Sequence, residues 1–168
     1  DVYKRQVVLP GPGEYVVRAD PGTGDAYAAQ YFDGVHLRSF ASALIVSPNE
    51  FISGIDFALP AGSRISGRIT QSGVPVAGVD IDVFDVTGEF LGAYPGTTDV
   101  LGNYVVGALP PGSYFVKADP AKSTGLVGEF AGGGHELFDA VPVVLLATDL
   151  TGVDIDLDLG GSIAGIVR

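Results

Sequence analysis

Cysteine is absent from the chain, which excludes disulfide staples and thiolate metal sites. That absence fits a bacterial extracellular protein and a cytosolic one equally. Tryptophan is absent as well, and with it the widest side-chain platform for stacking on a sugar ring. Positive charge is scarce: nine Lys and Arg stand against 20 Asp and Glu, for a net charge of -11. A phosphate backbone needs neutralising cations, so nucleic acid is excluded as a partner. The acidity instead keeps an extended surface soluble. No apolar run approaches the roughly 20 residues that cross a bilayer as a helix, so no membrane insertion is expected within these residues. Alanine-rich runs with helical periodicity are also missing.

What the chain does have is glycine and proline, 25 and 11 residues, with 46% hydrophobic content. That combination favours many short strands joined by turns around a packed core. At 168 residues there is room for one ordinary domain, or for one small domain with pieces of its neighbours. Residues 97–120, TTDVLGNYVVGALPPGSYFVKADP, organise the rest. They read as a turn, a strand, a Pro-Pro-Gly turn and a second strand, a β-hairpin with its punctuation intact.

Part of this stretch occurs twice, LPGPGEYVVRADP at 9–21 matching LPPGSYFVKADP at 109–120. Tyr15 and Tyr114 lie 99 apart (114 − 15), as do His36 and His135 (135 − 36). Gly54-Ile55-Asp56 and Gly152-Val153-Asp154 lie 98 apart (152 − 54), as do Ile65-Ser66-Gly67 and Ile163-Ala164-Gly165 (163 − 65). Blocks in one order at one period mark tandem copies. The expected layout is the C-terminal part of a first repeat at 7–60, a complete repeat at 61–159, and the first strand of a third at 160–168. Residues 1–6, DVYKRQ, resemble the translated read-through of a sequencing adapter and are set aside as a scar. On that reading both ends of the natural protein lie outside this sequence.

Within the complete repeat, alternation predicts strands at 64–70, 79–85, 90–98, 104–109, 113–118, 126–130, 141–147 and 153–159. Asp99 and Asn103 build a turn in which Gly102 takes positive φ. At most one helical turn is expected, at 136–140. The predicted core holds Ile65, Val79, Ile81, Val83, Tyr104, Val106, Tyr114, Val116, Val144 and Ile155. Asp80, Asp82, Asp154, Asp156 and Asp158 face water. Seven or eight strands in about 100 residues fit an antiparallel β-sandwich.

Gly78-Val79 running into Val83, Thr98-Asp99-x-x-Gly102-x-Tyr104 and Leu109-Pro110-x-Gly112-x-Tyr114 together resemble the signature of carboxypeptidase regulatory-like domains. The closing Gly-x-Asp and the following Ile-x-Gly resemble junctions in bacterial tandem arrays of that kind. The resemblance implies an all-β fold, antiparallel Greek-key sandwich modules in tandem, prealbumin-like (transthyretin-like) and related to starch-binding-like folds. It implies an extracellular or cell-surface location in a bacterium and no common active site, because fold does not carry function by itself.

Motifs that suggest chemistry fail on inspection. Asp154-x-Asp156-x-Asp158 begins like a calcium loop, but Leu159 and Gly165 stand where an EF-hand needs Gly and Glu. His135-Glu136 begins like a zinc helix, but Asp139 replaces the second His. Lys122-Ser123-Thr124 lacks its phosphate-loop glycines, having Ala121 and Val116 there. No Gly-x-Ser-x-Gly occurs. Lys117 is the only strand lysine and could close an isopeptide bond, yet Arg18 holds its place in the other copy. Catalysis, cofactors and metals are therefore not expected. The chain reads as a non-catalytic spacer or adhesion-type module whose partners are neighbouring repeats. The alternative is a carbohydrate-binding accessory module of a secreted hydrolase, taking a polysaccharide or another cell-surface ligand on Tyr31, Phe32, Tyr94 and Phe130, rings placed in or beside loops.

Overall fold

A computed structural model describes residues 6–22, 26–93 and 97–166. The chain divides into two compact units, residues 1–20 with 29–59 and residues 21–28 with 60–168. In the first unit, strand β1 (Gly13–Tyr15) pairs antiparallel with β4 (Leu44–Val46), and β2 (Arg18–Ala19) pairs antiparallel with β3 (Gln30–Tyr31). None of its described residues is fully buried.

The second unit carries β5 (Ser63–Gln71), β6 (Val74–Pro75), β7 (Asp80–Asp85), β8 (Phe90–Ala93), β9 (Asn103–Leu109), β10 (Gly112–Asp119), β11 (Glu129–Phe130), β12 (Val143–Leu145) and β13 (Ile155–Asp156). They form two sheets. One runs β11-β10-β7-β8 with β12 also on β10; the other runs β13-β5-β6 with β9 also on β5. Two-residue periodicity gives each strand one apolar face. Ile81 and Val83 of β7 and Tyr114, Val116 and Ala118 of β10 meet Ile65 and Ile69 of β5 and Tyr104 and Val106 of β9 in one core. The fold is thus all-β and built from antiparallel pairs. The exception is β13, which lies parallel to β5 with Ile155 opposite Ile69.

Asp85 is a carboxylate on the inward face of β7 and is fully buried. Its Oδ1 accepts the backbone N–H of Thr87 at 2.7 Å, the Thr87 hydroxyl at 2.6 Å and the N–H of Glu89 at 3.0 Å. Those donors replace the water it loses. Buried Thr98 holds another loop: its hydroxyl accepts from the N–H of Val79 at 3.0 Å and donates to the carbonyl of Val76 at 2.7 Å. Gly102 takes φ +78°, and a Cβ there would lie 2.4 Å from the Ile69 carbonyl oxygen. The turn expected from Asp99 and Asn103 is present, with Asp99 Oδ1 accepting the N–H groups of Leu101 and Asn103, both at 2.8 Å.

Several expectations need correction. Val144 is 59% exposed and Leu145 is 1% exposed, so Leu145 is the core residue. Ser113 lies opposite Val144 and Gly112 opposite Leu145, which turns Val144 outward. The strands expected at 126–130 and 153–159 are shorter, Glu129–Phe130 and Ile155–Asp156, with an isolated antiparallel bridge between Leu126 and Leu159. Of the strand expected at 90–98, Phe90–Ala93 is a strand and residues 94–96 lie outside the described residues. The single helical turn expected at 136–140 is a 3-10 turn at Leu137–Asp139, and a second, not expected, lies at Lys122–Thr124.

Candidate functional site

A densely bonded feature of the second unit is the seam between its first strand, β5, and residues 149–157. Backbone N–H groups of Ser66, Val153 and Leu157 donate to the carbonyls of Leu150 (2.9 Å), Ser66 (3.0 Å) and Thr70 (2.7 Å). The N–H of Leu150 donates to the Arg64 carbonyl at 2.7 Å. Carboxylates add to the ladder. Asp149 accepts the N–H of Arg64 and Asp154 that of Arg68, each at 2.8 Å, while Asp156 accepts the Thr70 hydroxyl and the Gly73 N–H. The Thr70 hydroxyl, helped by the Gly73 N–H, holds the Asp156 carboxyl below its ordinary range.

Tyr104 locks this seam from the core side. It lies opposite Gly67 in the β5·β9 ladder, and its hydroxyl donates to the Val153 carbonyl at 2.6 Å. The ring therefore passes over Gly67 and ties β9 to the segment beyond β5. A Cβ on Gly67 would lie 1.9 Å from the Val153 carbonyl oxygen and 3.1 Å from the Tyr104 ring. Burial, then the charge of Asp154, pushes the Tyr104 phenol well up, so it stays a donor.

Of the aromatic residues expected to stack on sugars, Tyr31, Phe32 and Phe130 are engaged in packing. Phe130 is 4% exposed, its ring 6.0 Å from that of Phe84 and covered by the Lys117 ammonium at 5.8 Å. A ring so enclosed presents no face to a polysaccharide, which removes Phe130 from the candidate set. Tyr31 is half-buried with the Arg18 guanidinium 5.9 Å from its centroid. Phe32 is half-buried, edge-on to Phe57 at 6.4 Å. Tyr94 lies outside the described residues. Phe84 and Phe90, not singled out in the sequence, pack 5.4 Å apart across the β7–β8 turn; their signal was the Asp-x-Thr-Gly turn between them.

Titratable groups gather around β11 and β10. His135 donates through Nδ1 to the Gly128 carbonyl at 3.2 Å, and its Nε2 lies 3.7 Å from Asp158. Glu129 buries Oε2 with no hydrogen-bond partner. Burial, then the charge of Asp158, raises the Glu129 carboxyl. Burial, then the charge of Asp119, likewise raises Asp82, which lies opposite Lys117. Among the described residues no three His, Asp or Glu side chains converge as metal ligands.

The two copies share their detail at the offset read from the sequence. Tyr15 opposite Leu44 becomes Tyr114 opposite Val143, and Arg18 opposite Tyr31 becomes Lys117 opposite Phe130. Both tyrosine hydroxyls donate to the carbonyl four residues back, of Gly11 and of Pro110. His36 and His135 each reach the carbonyl seven residues back, at 3.2 Å.

No family model matches the chain, and no curated protein matches it by sequence. Among solved structures, it is similar to the major pilin subunit BcpA of Bacillus cereus, at 17% identity over 57% of this chain and 28% of that one, with a TM-score of 0.39. The Bacillus anthracis TIE protein is similar at 12% identity over 88% of this chain and 24% of that one, with a TM-score of 0.41. The group B streptococcus pilus 2b backbone protein is similar at 15% identity over 84% and 53%, with a TM-score of 0.39. The chain spans from about a quarter to about half of those proteins' lengths.

Proposed function

We propose that this chain is part of a non-catalytic, tandemly repeated β-sandwich that carries load as a spacer or adhesion-type module of a bacterial secreted or cell-surface protein. In this reading residues 61–159 are one repeat, 7–60 the later part of another and 160–168 the start of a third. The partners are neighbouring repeats, and the resemblance to carboxypeptidase regulatory-like arrays points the same way.

The observation that carries the reading is the parallel seam. Force along a tandem array enters a repeat at the start of its first strand and leaves at the end of its last. Here those strands are parallel neighbours, so tension slides one along the other and loads their hydrogen bonds together. An antiparallel pair of first and last strands would instead be peeled one bond at a time. The carboxylates of Asp149, Asp154 and Asp156 multiply the bonds loaded in this way.

Extension of single molecules held at both ends tests this. The second unit is expected to open in one discrete event releasing about 100 residues, roughly 300–350 Å of chain. Asp154→Ala should lower the force of that event. Gradual lengthening without a discrete event would overturn the load-bearing role. The carbohydrate-binding alternative draws no support from rings engaged by Arg18 and Phe57.

A further inference from the structure

We infer that residues 26–28, which the repeat count assigns to the first copy, are a coupling surface for the second copy. They pair with the entrance to its first strand and open only when its core opens. Both segments of this pairing belong to the second unit, although 29–59 between them belongs to the first. The N–H of Ala28 donates to the Pro60 carbonyl at 2.9 Å, and the N–H of Gly62 to the Ala26 carbonyl at 2.8 Å. Those bonds flank an antiparallel bridge between Tyr27 and Ala61. Strand β5 begins at the next residue, Ser63. The link from one copy to the next is therefore a paired segment and not a free tether.

Burial places both sides of the pairing with the second copy. Ala28 is 0% exposed and, among the described residues, is the only fully buried one before Ser63. A Cβ on Gly62 would lie 2.5 Å from the Cα of Ala108 in β9. Residues 60–62 are thus bonded by the first copy and packed against β9 of the second.

The same contacts recur one period later. The N–H of Val127 donates to the Asp158 carbonyl at 3.0 Å, that of Gly160 donates to the Gly125 carbonyl at 2.8 Å, and Leu126 bridges Leu159 antiparallel. Across the matched positions only Gly62 and Gly160 are the same residue; Tyr27 stands for Leu126 and Pro60 for Asp158. Main-chain bonds leave side chains free to vary. Glycine stays because the approach is close in both places: a Cβ on Gly160 would lie 3.2 Å from Val127 Cγ2. In a tandem array such a contact is a nearest-neighbour term added to each repeat's own stability. Here it has a direction, the earlier copy supporting the later.

Hydrogen exchange of the full chain tests the coupling at the Ala28 and Gly62 amides. Val116→Ala weakens the core of the second unit. It should speed both amides by the same factor as those of β10, about tenfold or more. Tyr15→Phe removes a bond of the first unit and should leave both unchanged. A crosslink supplies a second test. Tyr27 and Ala61 form a bridge without mutual hydrogen bonds, a geometry that sets Cα atoms about 4.5 Å apart, within disulfide reach. Both residues are exposed, and the chain has no other cysteine. Tyr27→Cys with Ala61→Cys should oxidise readily, and the disulfide should slow exchange across β10 at least about threefold against its reduced form. The inference is overturned by unprotected Ala28 and Gly62 amides, by amides that answer to Tyr15→Phe and not to Val116→Ala, by cysteines that stay reduced, or by a disulfide that leaves β10 unchanged. It rests on the tandem reading under the proposed function. Failure of the coupling in a chain that still opens in one discrete event would remove only this contact, and loss of that event with the coupling intact would remove only the load-bearing role.

Discussion

At the scale of single residues, the repeated Ile-x-Gly acquires a physical cause. Gly67 is extended backbone with no turn to make, yet the Val153 carbonyl occupies the space of its missing Cβ. Gly67→Ala must push the closing segment off β5 and break the bond from Tyr104. Overpacking of this kind costs about 1–3 kcal/mol, and in a unit of about 100 residues that lowers Tm by roughly 5–20 °C. Calorimetry should show this for Gly67→Ala and little change for Gly165→Ala. Glu129 offers a test of opposite sign. Its carboxyl is raised in the fold, so the folded chain holds that proton more tightly than the unfolded chain. Stability from this group is present below the unfolded value and lost as pH rises through the folded one. Gln30 fills the same place in the other copy. Glu129→Gln should therefore raise Tm at pH 7, with the gain fading as pH falls through the raised folded value and gone below about 4, near the free carboxyl value. A lower Tm at pH 7 would mean that the buried Oε2 has a partner after all. The outward acids were legible as acids facing water. What Asp154 bonds was not, because the backbone it meets lies 86 residues away.

At the scale of elements, legibility followed alternation. Asp80–Asp85 puts Ile81 and Val83 between acids, so its inward face could be read directly, and β9 and β10 behave alike. Val143-Val144-Leu145-Leu146 has no polar residue to set its phase, and a one-residue choice reverses every side chain. Pairing with β10 decides it for Leu145. The parallel direction of β13 was equally silent. An alternating pattern states which face is buried but nothing about which strand lies alongside or how it runs. The same limit explains the aromatic candidates. Phe130 follows a loop-like stretch in sequence, but pairing Lys117 against it closes an ammonium over its ring. Its cover comes from a strand more than ten residues away, invisible to local composition.

At the scale of the whole chain, the duplication was the most legible feature, because identical residues at a fixed offset demand identical local geometry. The ladders obey it down to single pairs. Burial does not. Tyr114, Val116, Ala118 and Leu145 are buried, whereas their counterparts Tyr15, Val17, Ala19 and Val46 are only half-buried. The difference lies in the surroundings: β5 and β9 of the opposing sheet cover the second set and β7 flanks β10, and no described strand of the first unit stands for them. Apolar burial is the main source of stability and scales with the area removed from water, so like sequences in the two units should differ in local stability. Hydrogen exchange read residue by residue provides the comparison. Amides of β10 facing β7 should open only with the whole second unit, while those of β1 and β2 exchange by local opening. The expected ratio of rates is on the order of a thousand or more, given the usual stability of a domain with a complete core. Equal protection of Val17 and Val116 in dilute monomer would show that the first unit holds its apolar face out of water by itself, and the burial argument for the two units would fail.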